Sequence, residues 1–255
     1  MAISLSSIKK TTAVSAPRVL IVGGAGIGKT TWASQAPNPV FLFTEDGAGL
    51  LQVNAFPKLE SFEQAMEAIA ALYTEDHDYK TVVVDSIDHL EPLIWDKVCR
   101  AHNVESIEAI GYGKGYVDAL NYWRQFLDGI NALRDERGMA VILIGHVHVR
   151  RFESPEHDSI DRFEPKLHAK ASALVQESVD TILFAKQKTV TKTENLGFGN
   201  TRTRGITTGE RVVCTVETPA YVAKNRYNLP AELPLRWDAF ADAINQQISN
   251  NSEAA

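Results

Sequence analysis

The chain has 255 residues and 44% hydrophobic content, enough for one large α/β core without requiring a second domain. Its net charge of −6 excludes a uniformly basic nucleic-acid coat but leaves room for a local basic surface. Two cysteines far apart in sequence, Cys99 and Cys214, suit neither a disulfide framework nor a zinc site, and read as core residues in a reducing cytoplasm.

Residues 1–16 are polar and rich in Ser and Thr apart from Ile3, Leu5 and Ile8, so they read as a flexible arm. The Ile3/Leu5 alternation would also let that arm join a neighbour's sheet edge. No apolar leader and no window of about 18 apolar residues is present, so a cytoplasmic protein that does not touch membrane is expected.

From residue 18 onward short apolar runs alternate with helical patterns. RVLIV, PVFLF, KTVVVD, MAVILIG and DTILFA are nearly continuous, as strands buried on both faces should be. KTTWASQA predicts a short helix stopped before Pro37 and Pro39. SFEQAMEAIAALYTE opens with a capping box at Ser61 and Gln64. LEPLIWDKVCRAH and YVDALNYWRQFLDGINALRDERG follow, the second closed by Gly138. Such alternation predicts a mostly parallel sheet flanked by helices, with ligands at the carboxyl ends of its strands. RVVCTVE and AYVAKN predict antiparallel hairpins at one edge. A core over 17–230 is followed at 231–255 by a closing helix with Trp237, Phe240, Ala241, Ile244 and Ile248 on one stripe.

The stretch GGAGIGKT follows the first strand and matches a phosphate-binding loop. Gly23, Gly24, Ala25, Gly26, Ile27 and Gly28 form the turn, whose glycines let backbone N–H groups converge on phosphate oxygens at a helix start. Lys29 would reach the β and γ phosphates of ATP, the Thr30 hydroxyl would ligate Mg²⁺, and Thr31 continues the helix entry. The second metal-organising group is Asp85, at the end of KTVVVD, acting on Mg²⁺ through water. Hydrolysis needs a group that orients and deprotonates water; Glu45, after PVFLF, is the candidate, with Asp46 as a solvent-facing turn residue. His146, at the tip of MAVILIG, would sit beside Asp85 and sense the γ phosphate. His146 and His148 face the same way on an extended segment, but no third metal ligand has obvious spacing. Residues 186–211 hold Lys186, Lys188, Lys192, Arg202, Arg204 and Arg211 against Glu194 and Glu210, which fits a surface that tracks phosphates or a solvated hairpin.

The order of these motifs resembles the RecA-type ATPase core. GGAGIGKT is similar to Walker A, FLFTED to the strand carrying the catalytic Glu, VVVDS to Walker B, and VILIGHVH to the strand ending in the family's glutamine switch, with His146 standing in place of Gln. The chain most resembles core-only phage ATPases of the Sak type, which implies ATP-dependent single-strand annealing or recombination. The resemblance covers roughly residues 17–230 and lacks the amino-terminal helix and carboxy-terminal DNA-binding domain of bacterial RecA.

That resemblance implies further roles. EAIGYGKGY lies where RecA-like proteins place their first DNA loop, and offers Tyr112, Lys114 and Tyr116 for stacking and phosphate contact; a glycine-rich helix entry with core tyrosines is the alternative. Residues 148–170 correspond to the second loop and hold Arg150 and Arg151 among five carboxylates, without clear periodicity. AYVAKNRYNLP resembles the segment that reaches a neighbour's ATP site, where Lys224 and Arg226 would act in trans. Single-stranded DNA, further copies of the chain in a ring or filament, and a single-strand-binding protein are the expected partners. The rival readings are a P-loop phosphotransferase and a nucleotide switch acting on a protein; the absence of a clear helical lid argues against an AAA+ remodeller.

Overall fold

The computed structural model describes residues 15–47, 49–153, 158–195 and 201–253, without the side chains of 190–195, 201–207 and 251–253. Most of the predicted arm, up to residue 14, lies outside the described residues. The first half contains β1 (Arg18–Gly23), α1 (Lys29–Ser34), β2 (Pro39–Phe43), β3 (Asn54–Ala55), α2 (Phe62–Thr74), β4 (Thr81–Asp85), α3 (Ile87–His102) and α4 (Lys114–Arg137). The second half contains β5 (Ala140–Gly145), β6 (Val147–Phe152), β7 (Ile160–Pro165), α5 (Ala169–Ser178), β8 (Thr181–Asn195), β9 (Thr201–Cys214), β10 (Lys224–Asn225), β11 (Glu232–Pro234) and α6 (Trp237–Glu253).

The main sheet runs β11-β9-β8-β1-β5-β4-β2-β3, with β10 against the start of β8. Strands β8, β1, β5, β4, β2 and β3 are parallel, and β9, β10 and β11 add antiparallel pairings at one edge. This is the mostly parallel α/β sheet with antiparallel pairings at one edge that the alternation of elements predicts.

The strand runs are apolar throughout because each face has its own helical layer. Leu20, Val22, Val82, Val84, Val141 and Leu143 meet the layer of α2, α3, α4 and α5, whereas Val19, Ile21, Val83, Ile142 and Ile144 meet α1 and α6. Full burial of such a side chain contributes roughly 1.5–3 kcal/mol, so a polar residue at any of these positions would break the core. Ser61 caps α2 by accepting from Gln64 N, and Gly138 ends α4 in the left-handed region at φ 67. Helix α6 is held by Trp237 and Phe240, which pack on Trp32 of α1 at ring distances of 4.9 and 5.4 Å. Ala243, not Ala241, is the buried small residue of its stripe.

Two features differ from the sequence reading. Residues 148–170 are not an irregular loop: β6 and β7 form a separate antiparallel hairpin, and α5 begins at Ala169. The hairpin is a sheet of its own, tied to the rest through Phe163, whose N–H donates to Ala220 O at 2.8 Å, and exposed residues on both strands leave no clear apolar alternation to read.

Candidate nucleotide site

The carboxyl ends of the parallel strands form one row. Register pairs Gly23 with Ala185, Val22 with Gly145, Asp85 with Ile144, and Phe43 with Asp85. Every residue assigned to phosphate chemistry therefore emerges at one edge, except Lys224 and Arg226.

The loop after β1 has Gly26 at φ 72 and Gly28 at φ 111, conformations that L side chains rarely adopt. A Cβ on Gly23 would come within 2.5 Å of the Ala185 carbonyl oxygen, so glycine is required there by packing. Gly24, Ala25 and Gly26 form the loop's outer rim, whereas Ile27 packs against the α1/α6 layer. Lys29 is buried, and its Nζ donates to the carbonyls of Gly23 and Gly24 at 3.0 Å each. Burial pulls its pKa below the ordinary lysine value, against the opposing fields of Asp85, Asp88 and Glu45. Thr31 follows on the exposed side of α1.

Thr30 Oγ1 donates to Asp85 Oδ2 at 2.8 Å. Burial raises the Asp85 pKa, partly offset by the Thr30 bond. These two oxygens beside a lysine form a hard donor set that suits Mg²⁺. Strand tips β2 and β4 are locked together: Thr44 Oγ1 donates to Ser86 O at 2.7 Å and accepts from Ser86 N at 2.9 Å. Glu45 follows directly, with a side chain 23% exposed, while Asp46 pairs with Lys58 at 2.9 Å in solvent. Gly47 lies between the acids, where an added Cβ would come within 3.6 Å of Glu45 Cγ and 3.8 Å of Asp85 Oδ2.

His146 leaves the tip of β5 beside Asp88, an acid the sequence reading did not single out. Its backbone N–H donates to Asp88 Oδ1 at 3.0 Å, and its Nδ1 lies 3.0 Å from Asp88 Oδ2. Burial would push the Asp88 pKa up, but the bonds from His146 prevail and hold it at about 2. His89, also missed, sits on the first turn of α3 with Nδ1 3.3 Å from Glu45 Oε2. Its signal was present: a residue three positions after Ser86, on the helix that leaves the β4 tip, must face the same edge.

Arg211 of β9 comes to the loop from the other side. A Cβ on Gly28 would lie 3.2 Å from Arg211 Nη1 and 3.4 Å from Leu235 Cδ2. An open cleft of about 520 Å³ lies alongside, lined by Lys188, Arg211, Val212, Leu235 and Arg236 among others. Sequence reading placed Arg211 only in the basic hairpin, because nothing local signals that β9 passes the loop.

The residues expected at DNA divide. Tyr112, at φ 49, is fully open and Lys114 is exposed at the start of α4. Tyr116 is half-buried: its hydroxyl donates to Glu108 at 2.6 Å, and its ring stacks on His168 at 4.2 Å and meets Trp95 at 5.4 Å. Arg150 and Arg151 lie on β6, 3.8 Å from Glu164 and Asp161 respectively. Lys188 pairs with Glu232 at 3.0 Å. Further along the β8–β9 ladder, backbone register sets Lys192 opposite Arg204 and Glu194 opposite Arg202, and these side chains lie outside the described set.

Lys224 and Arg226 occupy the other end of the sheet. Lys224 pairs in register with Ile182, and its Nζ donates to the carbonyls of Gln176 and Glu177 at 2.8 and 3.2 Å. Arg226 Nη1 lies 3.3 Å from Asp180 Oδ1. With Leu20 opposite Ile182 and Gly23 opposite Ala185, Lys224 stands three residues, roughly 10 Å, below the phosphate loop of its own chain.

A glycine loop before a short helix, a buried lysine and a strand-end acid hydrogen-bonded to Thr30 define a P-loop ATPase domain. The chain belongs to the AAA_24 family, described as AAA domain, whose model matches residues 15–227. No curated protein matches it significantly. Among solved structures, the crystal structure of the RadB recombinase is similar at 14% identity, covering 88% of this chain and 90% of that chain, with a TM-score of 0.46. Among the described residues, no helix is long and apolar enough to cross a membrane.

Proposed function

We propose that this protein is an ATP-hydrolysing, single-stranded-DNA-binding recombination protein, of the kind phages use for single-strand annealing. One set of contacts supports coupling between nucleotide and DNA. Lys166 N–H donates to His146 O at 2.9 Å, closing the β6–β7 hairpin onto the β5 tip. Two residues on, His168 N–H donates to Glu91 of α3 at 2.9 Å, and the His168 ring carries Tyr116 of the first loop. A shift at His146 therefore has a packed route into both candidate DNA segments.

In this reading the loop from Gly23 to Thr31 binds the ATP phosphates, with Lys29 released from the Gly23 and Gly24 carbonyls to meet them. Thr30 and Asp85 would hold Mg²⁺, which supplies charge neutralisation at the phosphates. Glu45 accepts the proton of the attacking water. Its mobility is limited by the Thr44–Ser86 lock, which suits a group that must be placed within hydrogen-bond reach. His146 senses the γ phosphate. Arg211, aimed at Gly28, adds a cation to the nucleotide from within the same chain.

Lys224 and Arg226 lie too far from their own loop to serve it, so their role is in a neighbour's site. That reading makes the working form a ring or filament. Tyr112 and Lys114 contact DNA by stacking and by phosphate pairing, with Arg150, Arg151 and the Lys188, Lys192, Arg202 and Arg204 hairpin as the surrounding basic surface. A single-strand-binding protein is the natural supplier of the DNA substrate.

The test is binding of a fluorescent single-stranded oligonucleotide with ATP, with ADP and without nucleotide. Tighter binding with ATP supports the proposal. Nucleotide binding with no DNA affinity in any state would instead favour a switch that acts on a protein partner.

A further inference from the structure

We propose that Glu45, His89 and His146 form a site for a divalent transition-metal ion of the Zn²⁺ class, separate from the Thr30/Asp85 magnesium site. Each of the three residues offers a ligand atom, and those atoms all lie within 4.8 Å of one another. They come from three elements, the β2 tip, the first turn of α3 and the β5 tip.

The distances favour one ion. Around Zn²⁺ with bonds of about 2.0–2.1 Å, tetrahedral ligand atoms are roughly 3.3 Å apart. His89 Nδ1 and Glu45 Oε2 are already at 3.3 Å, and His146 Nδ1 is 3.9 Å from Glu45 Oε1. The two histidines face different oxygens of the one carboxylate, so a single ion requires side-chain rotation at Glu45 or His146. Asp88 Oδ2 lies 3.0 Å from His146 Nδ1 and 3.5 Å from His89 Nδ1, and Ser86 Oγ is 2.8 Å from His89 Nδ1. An ion bound at either Nδ1 takes the place of these hydrogen bonds, since one ring nitrogen cannot serve both. The ring planes are near perpendicular, at 84° with centroids 6.0 Å apart, so the two imidazoles are not stacked.

Two imidazole nitrogens with one carboxylate select a borderline transition ion over Mg²⁺, which prefers oxygen alone. The His89 side chain is 43% exposed, which gives the ion an entry path from solvent. His148, the neighbour suggested by the His-x-His spacing, is not among the three. The metal site stands on this geometry alone. One consequence rests on the ATPase reading: an ion that takes a Glu45 oxygen withdraws the lone pair meant for water, so the metal is an inhibitor of turnover.

Visible absorption of Co²⁺ titrated into the full chain, without nucleotide or Mg²⁺, decides the binding question. One Co²⁺ per chain with ligand-field bands of imidazole and carboxylate coordination, displaced by Zn²⁺, is expected. Removing even an outer partner costs about 10- to 100-fold in metal affinity, so His89→Ala and His146→Ala should each lose about 100-fold or more. His89→Gln guards against misfolding, and each variant's thermal melt is compared with the parent. A spectrum that remains that of the aqueous ion, or an affinity unchanged in His89→Ala, overturns the site. If the parent hydrolyses ATP, Zn²⁺ should inhibit it, and His89→Ala should be resistant relative to its own uninhibited rate. Specific Co²⁺ binding without ATPase activity would preserve the site and sink only the ATPase reading.

Discussion

Thr30 Oγ1 and Asp85 Oδ2 share a 2.8 Å hydrogen bond across 55 residues of sequence. The helix that begins at the phosphate loop is thereby tied to the strand that ends two positions away in the sheet. In the proposed reading these two oxygens hold Mg²⁺, and Lys29 beside them donates to two loop carbonyls.

Lys29→Ala should abolish nucleotide binding while leaving the empty fold intact, since the buried ammonium is costly to desolvate. Thermal melts read this directly. Saturating ATP and Mg²⁺ at about 100 times Kd should stabilise the parent by about 2.7 kcal/mol and the variant by nothing. A ligand-induced shift in Lys29→Ala would remove the lysine from the phosphate site.

Glu45→Gln should bind ATP as the parent does and hydrolyse it about 100-fold more slowly or worse, the usual contribution of a positioned base. Equilibrium binding and single-turnover hydrolysis separate the two effects. Retained turnover would assign the base elsewhere.

Arg211→Ala should weaken ATP binding by about 10-fold or more, because a hydrogen bond to a charged group is worth about 1.5–3 kcal/mol. The effect should appear in Kd and leave the melting temperature of the empty protein unchanged, as the side chain is exposed. Unchanged affinity would leave Arg211 as a wall of the cleft only.

Tyr112→Ala should cost about 1–3 kcal/mol of single-strand affinity if its open ring stacks on a base. Lys114→Ala should reduce the slope of log affinity against log salt by about 0.7. Tyr116→Ala, by contrast, should lower the melting temperature, because its ring packs between His168 and Trp95. Binding assays at several salt concentrations and calorimetry distinguish these outcomes.

Asp180 gathers Arg18 at 3.0 Å, Arg226 at 3.3 Å and Arg134 at 3.6 Å, and its carboxylate is 9% exposed. Burial would raise its pKa, yet the bonds and field of Arg18, with Arg134, hold it below the ordinary carboxylate range. A depressed pKa stabilises the fold above the unfolded value of about 3.9 and stops doing so as pH falls through the folded one. Asp180→Asn should therefore cost about 3 kcal/mol at neutral pH, and the difference from the parent should shrink below about pH 3.9. Urea melts at neutral and acid pH check it; a constant difference would mean that charge is not its source.

The strands and the phosphate loop were legible because their causes are local. A strand buried on both faces must be apolar at every position, and Gly28 at φ 111 leaves glycine the favoured residue. Asp85 was legible because a charge at the end of such a strand is conspicuous. Asp88 and Arg211 were not: each matters through contacts made by chain folding across tens of residues or more. The β6–β7 hairpin was hidden for a different reason. Its strands pair with each other and bury little, so Val149 at 59% and Phe163 at 41% exposure break the usual alternation. Tyr116 fits the second of the two readings its segment allowed, a core tyrosine at a glycine-rich helix entry, because its ring contacts His168 and Trp95.

The most direct measurement is steady-state ATP hydrolysis with and without single-stranded DNA across a salt series, with Lys29→Ala as the blank. The account predicts stimulation by DNA that fades as salt rises and vanishes in the blank. Hydrolysis above the blank that ignores single-stranded DNA at every salt concentration would contradict it.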